Sequence, residues 1–458
     1  MSNQQKSSGN IIAIITMMFL YAMIAFVTNL AAPIGNVWKG LPEIAGSNTL
    51  GMLGNFMNFF AYLFMGIPAG KLLVKIGYKK TALLGIAVGF IGVLIQFLSG
   101  LPGGLTGFFV YLLGAFISGF SVCLLNTVVN PMLNLIGGGG NRGNQLNLIG
   151  GTLNSLAGTL TPMLVGALIG NVITQGDVND KKEFVFDGIK RIATENDITQ
   201  MSQVNLVLYI AMGVFALAFI ILSFIPIANP KMGNATSETK FERSPWAFRH
   251  CLLGVIAIFL YVGVEVGIPG TLNFYISDKT NGVGTMFANA ATIGGFVAGT
   301  YWLLMLVGRL CSTFIANKVS SKMMMIATNG VGMLLILGAI FTPSTVTTSM
   351  PLFTGSSFEM TQIPLSALLL VLCGLYTSIM WACIFNLATE GLGKYTAQAS
   401  GIFMMMVVGG GVMPLIQNYI ADHASYMISY IVPLLSMGYM LWYALFGSKN
   451  VNTDIKVD

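Results

Sequence analysis

Long apolar runs, broken at near-regular intervals by short polar segments, dominate the chain. Ile11 opens the first, which lasts to about Ile34. Others follow at 50–74, 80–100, 105–134, 146–174 and 204–228. After a polar stretch from Asn229 to Ser244, six more lie at 247–276, 285–316, 322–342, 363–389, 397–421 and 425–447. Most reach or exceed the ~20 residues a helix needs to cross the hydrocarbon core of a bilayer. The pattern predicts an all-α integral membrane protein of twelve transmembrane helices. It further predicts one six-helix bundle over 1–228, a linker over 229–246 and a second bundle over 247–458. The first run exceeds the ~7–15 residues of a secretory signal core and reads as a retained span.

Within this pattern the polar interruptions carry the information. From Gly119 to Pro162 two apolar runs are joined by a glycine-rich turn, GGGGNRGN, that holds Arg142. Asn126, Asn130, Asn147 and Asn154 lie in or beside those runs. An amide facing lipid leaves donors and acceptors unpaired at a cost of several kcal/mol. These groups are therefore expected to face other helices or a wet path. Asn130-Pro131 also frees backbone groups inside a helix, which is tolerated only where neighbours or water satisfy them.

Composition narrows the class. Only 8% of the 458 residues are charged and 55% are hydrophobic, with a mean hydropathy of +0.78. So few charges cannot cover the surface of a soluble chain of this length, so the lipid bilayer is the expected environment. The five cysteines all lie in apolar runs without zinc-type spacing, so neither disulfides nor a metal is expected. A net charge of +6 points to loops meeting anionic lipid; without a basic-aromatic patch, no nucleic-acid partner is expected. An enzyme is not expected either: no phosphate-binding loop with its lysine, no metal cluster and no nucleophile beside a base occurs. No cofactor is implied. His250 and His423, the only histidines, fall at membrane edges.

Lys and Arg set the expected orientation. With the N-terminus inside, sixteen cations fall on cytoplasmic loops and termini, against six outside: Lys39, Lys279 and four in the acidic 175–203 loop. Both termini are thus expected in the cytoplasm.

The two halves echo each other. GIPAGKLLVKIGYKK (Gly66–Lys80) separates the second and third spans as GRLCSTFIANKVSSK (Gly308–Lys322) separates the eighth and ninth. Gly158-x-x-x-Pro162 in the fifth span is matched by Gly410-x-x-x-Pro414 in the eleventh. Parallel repeats of this kind are a known transporter plan, with substrate bound near the midplane between them. The Gly66–Lys80 segment resembles the loop signature of the major facilitator superfamily, with Lys71 in place of its usual acid. More narrowly, the chain resembles the fucose–galactose–glucose:proton symporter family. The resemblance is carried by Ile67-Pro-Ala-Gly70, Asn130-Pro131, Leu146-Asn-Leu148 with Asn154-Ser155, Tyr261-Val-Gly-Val-Glu-Val266, Glu390-Gly-Leu-Gly393 and Gly409-Gly-Gly-Val-Met-Pro414. It implies a sugar held between two six-helix bundles that open in turn to each side of the cytoplasmic (inner) membrane. It also implies proton-linked carboxylates in the first and fourth spans. Here those positions are Asn29 and Asn126, which cannot carry a proton in this range.

A sugar site needs amides for hydroxyls and an aromatic face for C–H surface. Asn29, Asn126, Asn130, Asn154, Asn273, Asn289, Trp381 and Asn386 are the candidates, each amide equally able to serve as a helix–helix hydrogen bond. Glu265 stands apart. An ionised acid near the middle of a span costs ~2.5–3.5 kcal/mol, so it must be paired, protonated or wetted. It is the candidate sugar ligand and proton carrier. Lys71, Lys75, Lys79, Arg309, Glu390 and Asp422 fall near span ends and are read as gating or loop ion-pair groups. A monosaccharide transporter, acting as a monomer with a proton or another coupling ion, is the reading adopted. A drug or metabolite exporter of the same superfamily and a passive sugar facilitator stay open; a nutrient sensor is not expected, since it would need an output domain or long tail and about eleven residues follow Gly447. A cysteine reporter in the 175–203 loop should label from outside intact cells, and one at 231–243 only after permeabilisation; the reverse would overturn the orientation.

Overall fold

The computed structural model describes all residues except 1–2, 42, 45, 137–139, 171–182, 187–188, 193–199, 226–242, 316–317, 355, 393–394, 453–454 and 456–458. Most of the expected linker and of the 175–203 loop therefore lies outside the described residues. So do parts of the glycine-rich turn and the side chain of Asn130.

Among the described residues, twelve helices are long and apolar enough to cross a membrane. They are Ile11–Trp38, Leu53–Leu73, Lys75–Leu98, Gly104–Val129, Ile149–Ile169, Met201–Phe224, Arg249–Ser277, Ala290–Ser312, Ser321–Phe341, Leu365–Thr389, Gln398–His423 and Tyr426–Gly447. They are numbered below as spans one to twelve. Twelve crossings return the chain to the face on which it began, here called the terminus face; the opposite one is the far face. Lipid-side positions carry large exposed apolar groups such as Phe224, Phe314 and Phe341, 80–83% exposed. Interior positions are filled by buried tyrosines, phenylalanines and methionines.

Several boundaries depart from the pattern read above. The first span runs on to Trp38 in two helical pieces, Asn3–Thr28 and Ala31–Trp38, with the break at Asn29–Leu30. Spans two and three form one helical run whose direction changes at Gly77 (φ 81°, ψ 170°), a left-handed backbone that a Cβ would strain. The eighth span starts at Ala290, five residues later than the apolar run. An antiparallel hairpin, Thr347–Phe353 paired with Phe358–Pro364, covers the far-face end between spans nine and ten. It buries Met350, Leu352 and Ile363 beneath it. A second short pairing, Glu183–Phe186 with Ile189–Ile192, lies after span five.

Glycines set how closely the two bundles approach. A Cβ at Gly166 (span five) would sit 2.6 Å from the Ala291 carbonyl oxygen (span eight), and one at Gly295 would meet the Pro162 carbonyl. The matched motifs are used in matched places. A Cβ on Gly158 would lie 3.3 Å from Trp302, and one on Gly410 would lie 2.8 Å from Phe59. Spans five and eight thus pack through one motif, and spans eleven and two through its repeat. Small residues let backbones approach where no hydrophobic force drives helices together in lipid. Gly295→Val should wedge spans five and eight apart near the far face. Accessibility of a far-face cysteine to a membrane-impermeant reagent should then rise; unchanged accessibility would mean this contact does not set closure.

Candidate functional site

At the centre of the bundle, Glu265 of span seven meets Arg309 of span eight, with Nη2 2.8 Å from Oε1. Both side chains are largely buried, 14% and 18% exposed. Arg309 reaches the acid because its long side chain runs inward from near the end of its span, carrying its charge to a partner instead of into lipid. The same guanidinium crosses to the other bundle: Nη1 donates to Ser155 Oγ (2.7 Å) and to the Gly151 carbonyl (3.1 Å) of span five, while Nε faces the Ser378 carbonyl at 3.4 Å. The assignment of Arg309 to a gating loop is therefore corrected. Its Cα lies near a span end, but its charge is in the core.

An aromatic pair lies one turn along span seven from the acid, and amides join the neighbouring inner spans. Tyr261, one turn from Glu265, is tilted against Trp381 with ring centroids 6.3 Å apart. Trp302 lies beside Gly158, whose missing side chain also leaves Asn29 Nδ2 close by. Asn29 Nδ2 donates to the Ala25 carbonyl at 2.9 Å, the i−4 group below the break in span one. Asn154 Nδ2 reaches the Tyr21 carbonyl at 3.2 Å, tying span five to span one. Asn126 Nδ2 donates to Tyr62 Oη at 2.8 Å across spans four and two. Asn29, Asn126, Asn154, Glu265 and Trp381 are thus half-buried groups on the inner spans.

The other expected residues lie elsewhere. Asn289 precedes the helix of span eight and is exposed; Asn386 is exposed too, near the terminus face. There Asn386 lines a surface pocket of about 520 Å³ with Ser320, Lys322, Glu390 and Lys449. Both expectations are corrected: Asn289 lies in the turn before its helix, and the phase of its helix turns Asn386 to the surface. Lys71, Lys75 and Glu390 are exposed. Lys79 caps span six, donating to the Ser223 and Ile225 carbonyls at 2.8 Å each. Asn273 is buried against the other bundle, accepting from Asn36 Nδ2 at 2.7 Å.

The far face is shut by a charged cluster. Asp422, at the end of span eleven, accepts from the amides of Asn48 (2.8 Å) and Thr49 (2.9 Å) and from the hydroxyls of Ser47 (3.0 Å) and Thr49 (2.6 Å). It therefore sits on the N-terminus of the short helix Asn48–Gly51, where unpaired amides favour an anion. Lys39, buried at the end of span one, faces Asp278 at 3.8 Å, bonds Asn48 Oδ1 and lies 4.5 Å from the centroid of the Phe274 ring. The Tyr426 hydroxyl lies 2.7 Å from both Asp278 Oδ2 and Asn48 Oδ1. Every one of these bonds joins the first bundle to the second except that of Lys39 to Asn48 and that of Tyr426 to Asp278. Asn48, Asp278 and Tyr426 were not singled out from sequence, and Lys39 only as one of the outside cations. Their signal was faint: a lone cation and a lone acid directly following apolar runs.

The twelve apolar helices of this fold fit a family of known membrane proteins. A model of the Major Facilitator Superfamily matches residues 11–414, and the chain belongs to that family. It is 28% identical over 450 residues to a glucose/galactose transporter of Brucella abortus, covering 98% of this chain and 97% of the other. It is 22% identical over 399 residues to the L-fucose-proton symporter of Escherichia coli, covering 85% and 83%. Among solved structures, the transporter FucP in its outward conformation superposes with a TM-score of 0.65 at 20% identity, over 96% of this chain and 100% of that one. The nucleoside transporter NupG gives 0.58 at 13% identity, over 94% and 97%.

The far-face lock has a defined pH response. Burial pushes Asp278 up, but the ammonium of Lys39, the Tyr426 hydroxyl and the amides of Thr280 and Asn281 outweigh it and hold the carboxyl below its usual range. A lowered pKa stabilises the closed face fully above the ordinary value of ~3.9 and loses that contribution as pH falls through the lower, closed-state value. Through Asp278, closure should therefore be flat from pH 8 to 5 and loosen only in stronger acid. Burial holds Lys39 below its ordinary range, which adds a cost to closure that is lifted as pH rises toward the ordinary lysine value. Lys39→Ala should shift the far face toward open by about 1–3 kcal/mol, since it leaves buried acceptors unpaired. Distance distributions between spin labels across the far face test both points; a midpoint near neutrality, or no shift in Lys39→Ala, would contradict the assignment.

Proposed function

We propose that the chain is a monosaccharide transporter of the cytoplasmic membrane that works by alternating access. The bundles formed by 1–228 and 247–458 rock about a site at Glu265 and Arg309, with the terminus face toward the cytoplasm. The observation that carries this reading is the central site itself, a compensated ion pair with the Tyr261–Trp381 aromatic pair one helical turn away. A net-neutral site of this kind suits a polar, uncharged substrate, whose hydroxyls pair with amides and whose C–H face lies on an aromatic ring. The curated relatives named for glucose, galactose and fucose support the same substrate class, and the charge asymmetry of the loops supports the orientation. Asn29, Asn126, Asn154, Glu265 and Trp381 are the proposed substrate contacts, with the protein acting as a monomer in lipid.

For coupling, Asn29 and Asn126 offer no titrating group. Glu265 is the acid we assign as proton carrier. When it is ionised, Arg309 is shared between it and span five; when it is protonated, the guanidinium keeps only Gly151, Ser155 and Ser378. The proton thereby redistributes a bond that spans both bundles. A passive facilitator is the second reading, favoured by the 2.8 Å pair, because an acid already compensated need not titrate. In proteoliposomes an imposed pH gradient should drive D-glucose uphill. Glu265→Gln should abolish the drive and keep sugar-for-sugar exchange. Accumulation undiminished in Glu265→Gln would place the carrier elsewhere, and exchange without pH-driven accumulation in the wild type would rule out proton coupling in favour of the facilitator or another coupling ion.

A further inference from the structure

Beneath the far-face lock lies a polar contact that neither the ion pair nor the lock uses. Asn36 of span one is 3% exposed, and Asn273 and Ser277 of span seven are 1% and 2% exposed. Asn36 Nδ2 donates to Asn273 Oδ1 at 2.7 Å and lies 3.4 Å from Ser277 Oγ. The two amides belong to different bundles. On span eight, Gly294 packs against them: a Cβ there would lie 2.6 Å from Ser277 Oγ and 3.4 Å from Asn273 Oδ1. Helix rise sets the depth. Asn273 is eight residues beyond Glu265 and Asn36 is seven beyond Asn29, so the contact sits about 11–12 Å toward the far face from the central site. One turn further out are Lys39 and Asp278.

A neutral amide pair buried in an apolar interface contributes little net stability, because each amide gives up water to form it. The arrangement has a different consequence when the lock opens. The bundles part, the Asn36–Asn273 bond breaks, and two bidentate amides with a serine hydroxyl face the widening path. Each amide offers a donor and an acceptor side by side, which is the pattern a vicinal diol of a sugar ring completes.

We propose that Asn36, Asn273 and Ser277 form an entry subsite for a polyhydroxylated substrate, present only when the far face is open. The two asparagines bind substrate hydroxyls in that state and each other in the closed one. Closure then evicts the substrate toward Glu265 and Arg309 while restoring the partner each amide lost. Recognition from the far face therefore uses contacts that recognition from the terminus face lacks. The inference rests on the monosaccharide reading and adds a site outside the central one.

The test measures D-glucose exchange in right-side-out and inverted vesicles for wild type, Asn36→Ala, Asn273→Ala and the milder Asn273→Ser. An interbundle hydrogen bond and a subsite predict opposite signs. If the pair only holds the bundles together, its removal favours the open far face, and half-saturation from that side improves or stays unchanged. If it is a subsite, half-saturation from the far side should worsen by about three- to tenfold, the range of one lost neutral hydrogen bond. It should stay within twofold from the terminus side, with Asn273→Ser between wild type and Asn273→Ala. A monodeoxyglucose lacking the contacted hydroxyl should lose the sensitivity to Asn273→Ala. Improved or equal far-side half-saturation, or equal worsening from both sides, would overturn the subsite. Wild-type vesicles that exchange no glucose, galactose or fucose would instead overturn the monosaccharide reading on which it rests.

Discussion

The cost of leaving a polar group unpaired away from water governs this structure. In a soluble protein a stray amide can turn to solvent; within a bilayer it must find a partner on another helix. Glu265 and Arg309 satisfy each other and leave three further donor contacts for Ser155, Gly151 and Ser378. One guanidinium therefore ties together spans five, seven, eight and ten. Neutralising Glu265 leaves the guanidinium its neutral acceptors on spans five and ten, whereas removing Arg309 would strand an ionised acid in a low-dielectric site. The arrangement suits a group that changes partners during a cycle better than one that only cements helices.

Alternating access needs contacts that are strong enough to hold one face shut yet discrete enough to break together. The far face supplies these with side-chain bonds on helix ends, while close packing along the interface is left to glycine. Asp422 lies on the first turn of a short helix of the opposite bundle, and Lys39 is enclosed by Asp278, Asn48 and the Phe274 ring. Gly166 against Ala291, and Gly411 with Phe56 within 3.1 Å of its missing Cβ, keep the backbones near without adding a directional bond. Packing of that kind can slide or part, whereas the charged cluster is made or lost as a unit.

Much of the architecture could be read from the chain because the bilayer imposes one simple length rule. Apolar runs located all twelve spans, and the Gly-x-x-x-Pro repeat marked the two places where spans five and eleven meet the opposite bundle. Glu265 stood out because an acid in mid-span has no cheap alternative to a functional or paired role. What could not be read depends on helix phase and on side-chain reach. Arg309 looked like a loop cation because its Cα is near a span end, yet its side chain extends inward to the acid. Asn289 and Asn386 looked like inward amides, but one precedes its helix and the other turns to the surface. The far-face hairpin Thr347–Phe353 with Phe358–Pro364 was missed for another reason: its seven-residue strands carry prolines and polar residues in place of a clean alternation. The lock was hidden because its members, 387 positions apart for Lys39 and Tyr426, meet only when the two bundles close.

The central claim is that this protein moves a monosaccharide through the site at Glu265 and Arg309. Counterflow of radiolabelled sugar into proteoliposomes preloaded with the same unlabelled sugar tests it without assuming any coupling ion. The account predicts transient accumulation of label for at least one of D-glucose, D-galactose or L-fucose, lost in Trp381→Ala. Absence of counterflow for all three, with export of hydrophobic cations by the same preparation, would contradict it.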